Sequence, residues 1–409
     1  MSYILIESYK YYRIPAGWRN YLILSIESNG QVVGFSEFTD SNGSEATLLT
    51  AIEEIGDLLI GKKIESVAEV VISLRKKYRQ SLPGIIFKAI SAFENALWDL
   101  QSKISSKPII ELQSRGLFNS NPRRFSCYWS HCPTTRIRAS QYLNVKQILN
   151  YSDLISLGKE ISELKFSAFK TNLVQINPVP KVWMPGFNKD FNFTEEAIPD
   201  SYPEELHSIL KSILSQSSEL EAIIDLNFNT DLNSYQAIQK SLSDLKIRWI
   251  EIDFDDFVLY ENILNVKQYP ICTGENLLGL NSFEKIMHDK RVDIVSIDIL
   301  WNGLTESLKI ADLAIACGKK VAVHNYYGSL ASSIALVFLS MLPHDSIELM
   351  EFDFDDVPWR DSIVNNPPKF VGGSLEYVPG LGWNNDFLPN KLKNLDSIEG
   401  FKNDRIFEK

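Results

Sequence analysis

Ala222–Asn229, AIIDLNFN, is the stretch that decides the fold. Ala222, Ile223 and Ile224 lead into Asp225, a hydrophobic Leu226 follows, and Asn227 returns to the face of Asp225, as in a buried strand that delivers polar groups at its carboxyl end. The pattern recurs in WIEID, 249–253, which carries Glu251, and in ICTGEN, 271–276, which carries Glu275, at intervals that each hold one strand-and-helix unit. Acidic side chains on three successive parallel strand ends converge at one mouth, where like charges coexist around a cation.

Working outward, the chain from Phe125 alternates short apolar strands with amphipathic helices. Strand ends fall near Ser130, Lys170, Asp225, Glu251, Glu275, Asp298, His324 and Glu351, and helices are best seen over 151–165, 202–219, 231–245, 281–290, 304–317 and 329–342. Alternation in this number predicts a closed parallel barrel with its active site in the carboxyl-end loops. An open doubly wound sheet is the rival, but no glycine-rich dinucleotide turn follows any of these strands. Upstream, residues 3–12, 20–27 and 31–38 alternate as an antiparallel meander, with turns at Pro15–Gly17 and Asn29–Gly30 and helical periodicity over 45–59, 65–80 and 84–102. The fold class is therefore α/β: a (β/α)8 TIM-type barrel over 121–365 behind an N-terminal α+β capping domain over 1–120. Residues 366–409 form a C-terminal segment, and FVGGSLEYVPGLGW, 370–383, reads as a strand pair and turn returning to the capping domain. The connection 172–203, rich in Pro, Asn and aromatics, reads as a lid.

The 409 residues are 44% hydrophobic and 23% charged, ordinary for a globular protein. A net charge of -11 argues against a nucleic-acid partner. Cys127, Cys132, Cys272 and Cys317 show no paired spacing, which points to a reduced compartment. MSYILIESYK reads as a strand and not a signal peptide, and the most apolar run, SLASSIALVFLSML from Ser329, is too short and serine-rich to cross a bilayer. These features predict a cytoplasmic protein with no membrane partner.

Asp225, Glu251 and Glu275 are the candidate metal ligands, an all-oxygen set that suits Mg²⁺ better than Zn²⁺. The plainer alternative is three strand-end carboxylates meeting solvent or helix caps separately. His324 ends VAVH, and Asp298 ends VSID on the preceding strand, so the two lie side by side. An aspartate on one imidazole nitrogen raises the basicity of the other, which makes His324 a candidate general base. Lys170 ends FSAFK and can hold a substrate carboxylate or neutralise nearby acids, and Glu351 stands on the last strand. Candidate substrate-binding residues are Asn172, Asn227, Tyr326 and His131 at the mouth, Arg13 and Trp18 in the first cap loop, and Trp183 in the lid; aromatics there serve packing as often as recognition.

With these residues in view, the chain resembles the enolase superfamily, in particular its mandelate racemase/muconate lactonizing enzyme-like branch. The likeness covers nearly the whole length: GFSEF, AISAFENALWDLQSKISSKPIIEL, the barrel carboxylates, ILWNGLTESLKIADLA and VPGLGW stand in the order and spacing of that branch. It implies a divalent metal, normally Mg²⁺, and removal of the proton α to a substrate carboxylate to give an enediolate. It also implies that His324 and Asp298 form the branch's dyad, and that Glu351 hydrogen-bonds the enediolate when protonated. Lys170-Thr171-Asn172 departs from the branch's Lys-x-Lys, placing an amide where a second base would stand. Racemisation at one carbon needs groups on opposite faces, so this departure favours dehydration of a sugar acid, a small carboxylate substrate. A racemase or epimerase of a hydroxy acid, using Lys170 opposite His324, is the second reading, and a binding protein that keeps the fold without turnover is the third. Family analogy adds a homo-oligomer.

Overall fold

The computed structural model describes residues 3–28, 30–40, 43–113, 121–183, 199–227, 230–253 and 257–395, together with the backbone of Ile406–Glu408. Three antiparallel strands open the chain: β1 (Ile4–Pro15), β2 (Asn20–Ser28) and β3 (Val32–Phe38). Helices α1 (Glu45–Leu59), α2 (Val67–Lys77) and α3 (Ile85–Ser105) follow. Nearly every residue of α3 from Phe87 to Leu100 is buried, because the helix lies between the meander and the barrel. Gly34 of GFSEF permits that approach: a Cβ there would stand 2.4 Å from the Ala96 carbonyl oxygen.

Eight parallel strands then close on themselves: β4 (Arg123–Trp129), β5 (Ala168–Thr171), β6 (Glu221–Asp225), β7 (Ile247–Glu251), β8 (Ile271–Thr273), β9 (Ile294–Asp298), β10 (Lys320–His324) and β11 (Ile347–Phe352). Pairing of Met350, Glu351 and Phe352 with Cys127, Tyr128 and Trp129 makes the closure. The predicted α/β barrel with its N-terminal cap is thus the observed fold. A buried cluster of Tyr128, Ala168, Ile223, Trp249, Cys272, Ile294, Ala322 and Leu349 takes one residue from each strand and fills the barrel interior.

Some details differ from the sequence reading. Residues 257–265 form a helix that periodicity did not single out. The strand pair expected to return to the cap goes first to the barrel: Lys369–Phe370 pairs with β12 (Ser374–Tyr377), and β12 runs antiparallel to β4. Only the end of VPGLGW reaches the cap, where Trp383 donates from its backbone N–H to Asp99 at 3.0 Å and from its indole to the Phe35 carbonyl at 3.0 Å. The expected lid begins with a hairpin, Leu173–Gln175 against Lys181–Trp183, and its residues 184–198 lie outside the described residues.

The cap sits on the barrel through polar groups of α3 that read the backbone of ILWNGLTE. Ser91 donates to the Trp301 carbonyl at 2.9 Å, and Glu94 accepts from the Thr305 N–H at 2.7 Å. Asn95 donates to the Ile299 carbonyl at 3.1 Å and accepts from the Leu304 N–H at 3.0 Å. All three side chains are buried, so each bond replaces water that cannot reach its partner. Asn95→Ala leaves a buried donor and a buried acceptor unpaired and should lower stability by about 2–4 kcal/mol in denaturant unfolding. An unchanged midpoint would show that the seam does not depend on these bonds.

Candidate active site

The interior cluster sets the register of the mouth. Side chains two residues beyond it share its face, which carries Ser130, Lys170, Asp225, Glu251, His324 and Glu351 to the carboxyl end, with Asp298 one further step along β9. β8 departs from this. It ends at Thr273, and Gly274, at φ +116, turns the chain so that Glu275 is delivered from the loop. A Cβ on Gly274 would stand 3.1 Å from the Ser296 carbonyl oxygen.

His324 Nδ1 lies 2.8 Å from Asp298 Oδ2, as the neighbouring strands require. The other oxygen of Asp298 accepts from the Trp301 N–H at 2.8 Å and caps the short helical turn Ile299–Asn302. Tyr327 donates its hydroxyl to Asp298 Oδ2, the oxygen that faces His324, and stands 3.2 Å from His324 Nδ1. The opposite nitrogen, Nε2, faces Glu275 at 3.6 Å and Glu351 at 3.9 Å. Burial alone would lower the His324 pKa, but Glu275, Asp298 and Glu351 push it up to about 10.

Lys170 is fully buried, with Nζ 2.9 Å from Glu351 and 3.4 Å from both Asp225 and Glu251. Burial disfavours its charge, yet Glu251 and Glu351 hold its pKa well above the ordinary lysine value. Glu351 responds in the opposite sense to the expected protonated acid. Burial raises it, but Lys170, His324, His131 and a 2.7 Å bond from Ser130 keep it ionised, far below the usual range. Asp225 is lowered, again against burial, by Lys170 and His131. On the far side burial outweighs the cations: Glu251 is raised well above normal despite Lys170, Glu275 to about 8 despite His324, and Asp253 to about 7, each pushed further by its acidic neighbours.

Among the described residues, no three His, Cys, Asp or Glu side chains stand together closely enough to enclose an ion. Asp225 and Glu251 share the Lys170 ammonium, and Glu275 turns toward His324. The chemistry of the set nonetheless fits a hard divalent cation. Its donors are carboxylate oxygens, Glu275 Oε2 is buried with no hydrogen-bond partner, and Glu251, Asp253 and Glu275 are all raised by burial and by their acidic neighbours, which an added cation would offset.

The remaining sequence candidates divide. His131 crosses the mouth from β4, with Nδ1 2.6 Å from Ser130 Oγ and Nε2 3.3 Å from Asp225 Oδ2. Asn172 donates to Asn227 at 2.9 Å, and Asn227 donates to Asp225 from its backbone and side chain at 2.9 Å. Tyr326 packs its ring 4.8 Å from that of His131 and reaches Thr135 at 3.2 Å, so its neighbour Tyr327 is the tyrosine on the dyad. Trp18 lies over Arg19, with the guanidinium carbon 5.0 Å from its ring. Arg13 is instead paired with Glu45 at 2.5 Å, and Trp183 is packed in the hydrophobic core. Sequence reading missed Ser130, Arg19, Glu37, Asp253 and Tyr327. Arg19 joins cap to barrel, donating to the Tyr326 carbonyl at 2.8 Å and to Asp353 and Asp356 at 2.6 Å each. Glu37 accepts from the N–H groups of Gly328 at 2.7 Å and Ala331 at 3.0 Å, capping helix α4 (Ser329–Ser340) and fixing the turn that holds both tyrosines.

Two family profiles match: "Mandelate racemase / muconate lactonizing enzyme, N-terminal domain" over residues 16–113 and "Enolase C-terminal domain-like" over 189–387. The chain belongs to the enolase superfamily. It is a mandelate racemase/muconate lactonizing enzyme-like member, and members of this superfamily are enzymes that bind Mg²⁺. A crystal structure named "putative L-alanine-DL-glutamate epimerase" from Burkholderia xenovorans strain LB400, bound to magnesium and fumarate, is similar at 29% identity. Its TM-score is 0.88, over 95% of this chain and 96% of that one. A "putative dehydratase" from Zymomonas mobilis ZM4 shares the fold at 18% identity and TM-score 0.82, over 99% of each chain. No helix among the described residues is long and apolar enough to cross a membrane.

The Glu37 cap predicts a pH effect on this enolase-superfamily protein. Burial raises its pKa to about 7, outweighing the two amides and Arg19, so the folded chain keeps a proton that the unfolded chain releases near 4.5. That contribution is complete below about pH 4.5 and is lost as the pH rises through about 7, on the order of 3 kcal/mol in all. Glu37→Gln imitates the protonated acid. Melting temperatures measured across this range should fall less steeply for the variant than for the wild type, and parallel curves would count against the shift.

Proposed function

We propose that this enzyme dehydrates a sugar acid, with His324 as the group that moves the proton. The observation that carries the reading is the state of the second strand. Asn172 is an amide bonded to Asn227, and the Lys170 ammonium is surrounded by Glu351, Asp225 and Glu251, so neither is poised as a base. His324 has its Nδ1 fixed by Asp298 and Tyr327 and its Nε2 turned to the mouth.

Asp225, Glu251 and Glu275 are the residues proposed to hold the metal. Bound Mg²⁺ would supply the positive charge that offsets these carboxylates and the negative charge that grows on the substrate. Lys170 is the residue proposed to pair with the substrate carboxylate. His324 Nε2 takes the proton from the carbon beside that carboxylate, and the C–H electron pair moves into it to form the enediolate. The electrons then return to expel the β-hydroxyl, which takes the proton from His324 and leaves as water. The resulting enol becomes a 2-keto-3-deoxy acid. Acidic neighbours that favour the imidazolium suit the second half of this sequence, and charge compensation at Glu275 suits the first.

One observation favours epimerisation as a second reading. The His131 imidazole lies across the mouth beside Asp225, a candidate for the opposite face, and the similar structure at 29% identity is named as an epimerase. Turnover in D₂O separates the two. Dehydration yields a semicarbazide-reactive keto acid with no deuterium in recovered substrate, whereas label in substrate or its epimer would replace this proposal with the second reading.

Two further outcomes are expected. His324→Asn should lower turnover by about 10²–10⁴-fold while circular dichroism stays unchanged. Mg²⁺ should raise the melting temperature of the wild type, and clearly less that of Glu251→Gln; equal shifts would remove Glu251 from the metal site.

A further inference from the structure

Asn172 and Asn227 stand two residues beyond Lys170 and Asp225 on the neighbouring strands β5 and β6, and their mutual hydrogen bond at 2.9 Å makes them one layer above that pair. The direction of both amides follows from Asp225. Its Oδ1 accepts from the Asn227 backbone N–H at 2.9 Å, so the Asn227 side chain, 2.9 Å from the same oxygen, presents its NH2 group there. The left-handed backbone of Asn227, at φ +49, folds the side chain back to make both bonds. Asn227 Oδ1 is then the end left for Asn172, which must answer with its own NH2.

Asn172 Oδ1 is the end that remains. It is fully buried and has no hydrogen-bond partner. The rest of the residue is satisfied: its N–H donates to the Thr134 hydroxyl at 3.3 Å, and its carbonyl accepts from the Thr171 hydroxyl at 2.8 Å. A buried acceptor left alone is costly, and a donor that arrives with a ligand removes the cost. β5 and β10 lie three strands apart round the closed ring, which puts Asn172 and His324 across the mouth from each other. A substrate whose carboxylate pairs with Lys170 and whose C2 hydrogen faces His324 turns the other substituents of C2 toward Asn172. A hydroxyl there donates to Oδ1; a hydrogen or a keto oxygen cannot.

Resting on the dehydratase reading, we propose that Asn172 determines specificity by accepting a hydrogen bond from the hydroxyl on the carbon that loses its proton. The enzyme then takes 2-hydroxy acids and rejects their 2-deoxy counterparts.

Calorimetric binding to the full-length protein in Mg²⁺ tests this with ligands of equal charge that differ only at C2. Gluconate and mannonate are compared with 2-deoxygluconate, and galactonate and talonate with 2-deoxygalactonate. The best hexonate should bind at least about tenfold more tightly than its 2-deoxy partner. Asn172→Leu, which keeps the shape of the side chain and removes its oxygen, should narrow that ratio by at least about threefold. Asn172→Ala serves the same purpose if the circular dichroism of Asn172→Leu departs from that of the wild type. Other contacts of the 2-hydroxyl are common to wild type and variant, and damage to the site weakens both ligands of a pair, so the change in ratio reports Asn172 alone. A ratio below about tenfold for every pair, failure of every hexonate to bind, or a smaller narrowing in the folded variant overturns the proposal. A semicarbazide assay on the same samples judges the reaction separately. Selective binding without keto acid keeps the role of Asn172 and removes the dehydratase reading, and keto acid formed without a preference for the 2-hydroxyl does the reverse.

Discussion

Crowding of buried like charges at one barrel mouth is the constraint on which the rest of this structure depends. Asp225, Glu251, Glu275, Asp298 and Glu351 all lie on the strand ends or first loop residues of one ring, and all are buried. At an effective dielectric of 20, two such charges about 4 Å apart repel by about 4 kcal/mol, too much for several to remain ionised without compensation. The ring resolves this unevenly. Lys170 and His131 hold Glu351 and Asp225 below the usual range, Asp298 is hydrogen-bonded to His324, and Glu251 and Glu275 are raised by burial and by their acidic neighbours. The half whose acids are raised, Glu251, Asp253 and Glu275, is the half whose donor set fits an added cation.

The dyad is equally a product of the cap. His324 is set by Asp298, Asp298 by Tyr327 and the Trp301 N–H, and Tyr327 by a turn that Glu37 holds from β3. Trp301 is in turn held through its carbonyl by Ser91 of α3. Both links to the cap run through backbone groups of the barrel, so cap side chains fix the catalytic loops without displacing the side chains that face the mouth.

Much of this was legible in the order of residues. A strand buried on both faces must be apolar until its carboxyl end, and a helix between sheet and barrel must be apolar nearly all round, so FSAFK, AIID, VSID, VAVH and the α3 stretch announce themselves. Their period of two also placed Lys170, Asp225, Glu251, Asp298, His324 and Glu351 on one face, which the register confirms. Glu275 was located, but not the reason for its reach, since Gly274 acts through a backbone angle that spacing does not show. The sequence names Arg13 and Tyr326 and passes over Arg19 and Tyr327, because neighbours in a loop look alike as sequence; only packing shows that Arg19 reaches the Tyr326 carbonyl and that Tyr327 reaches Asp298.

The amino-acid sequence by itself determined the architecture, the strand ends that carry the chemistry and the absence of a second lysine at position 172, since these follow from local periodicity and residue type. Tertiary structure alone decided which carboxylates are ionised, which tyrosine supports Asp298, and how Glu37 and Arg19 bind cap to barrel. Those outcomes depend on burial and on charges brought together from segments hundreds of positions apart, and electrostatic energy is a function of distance in space and not of distance along the chain.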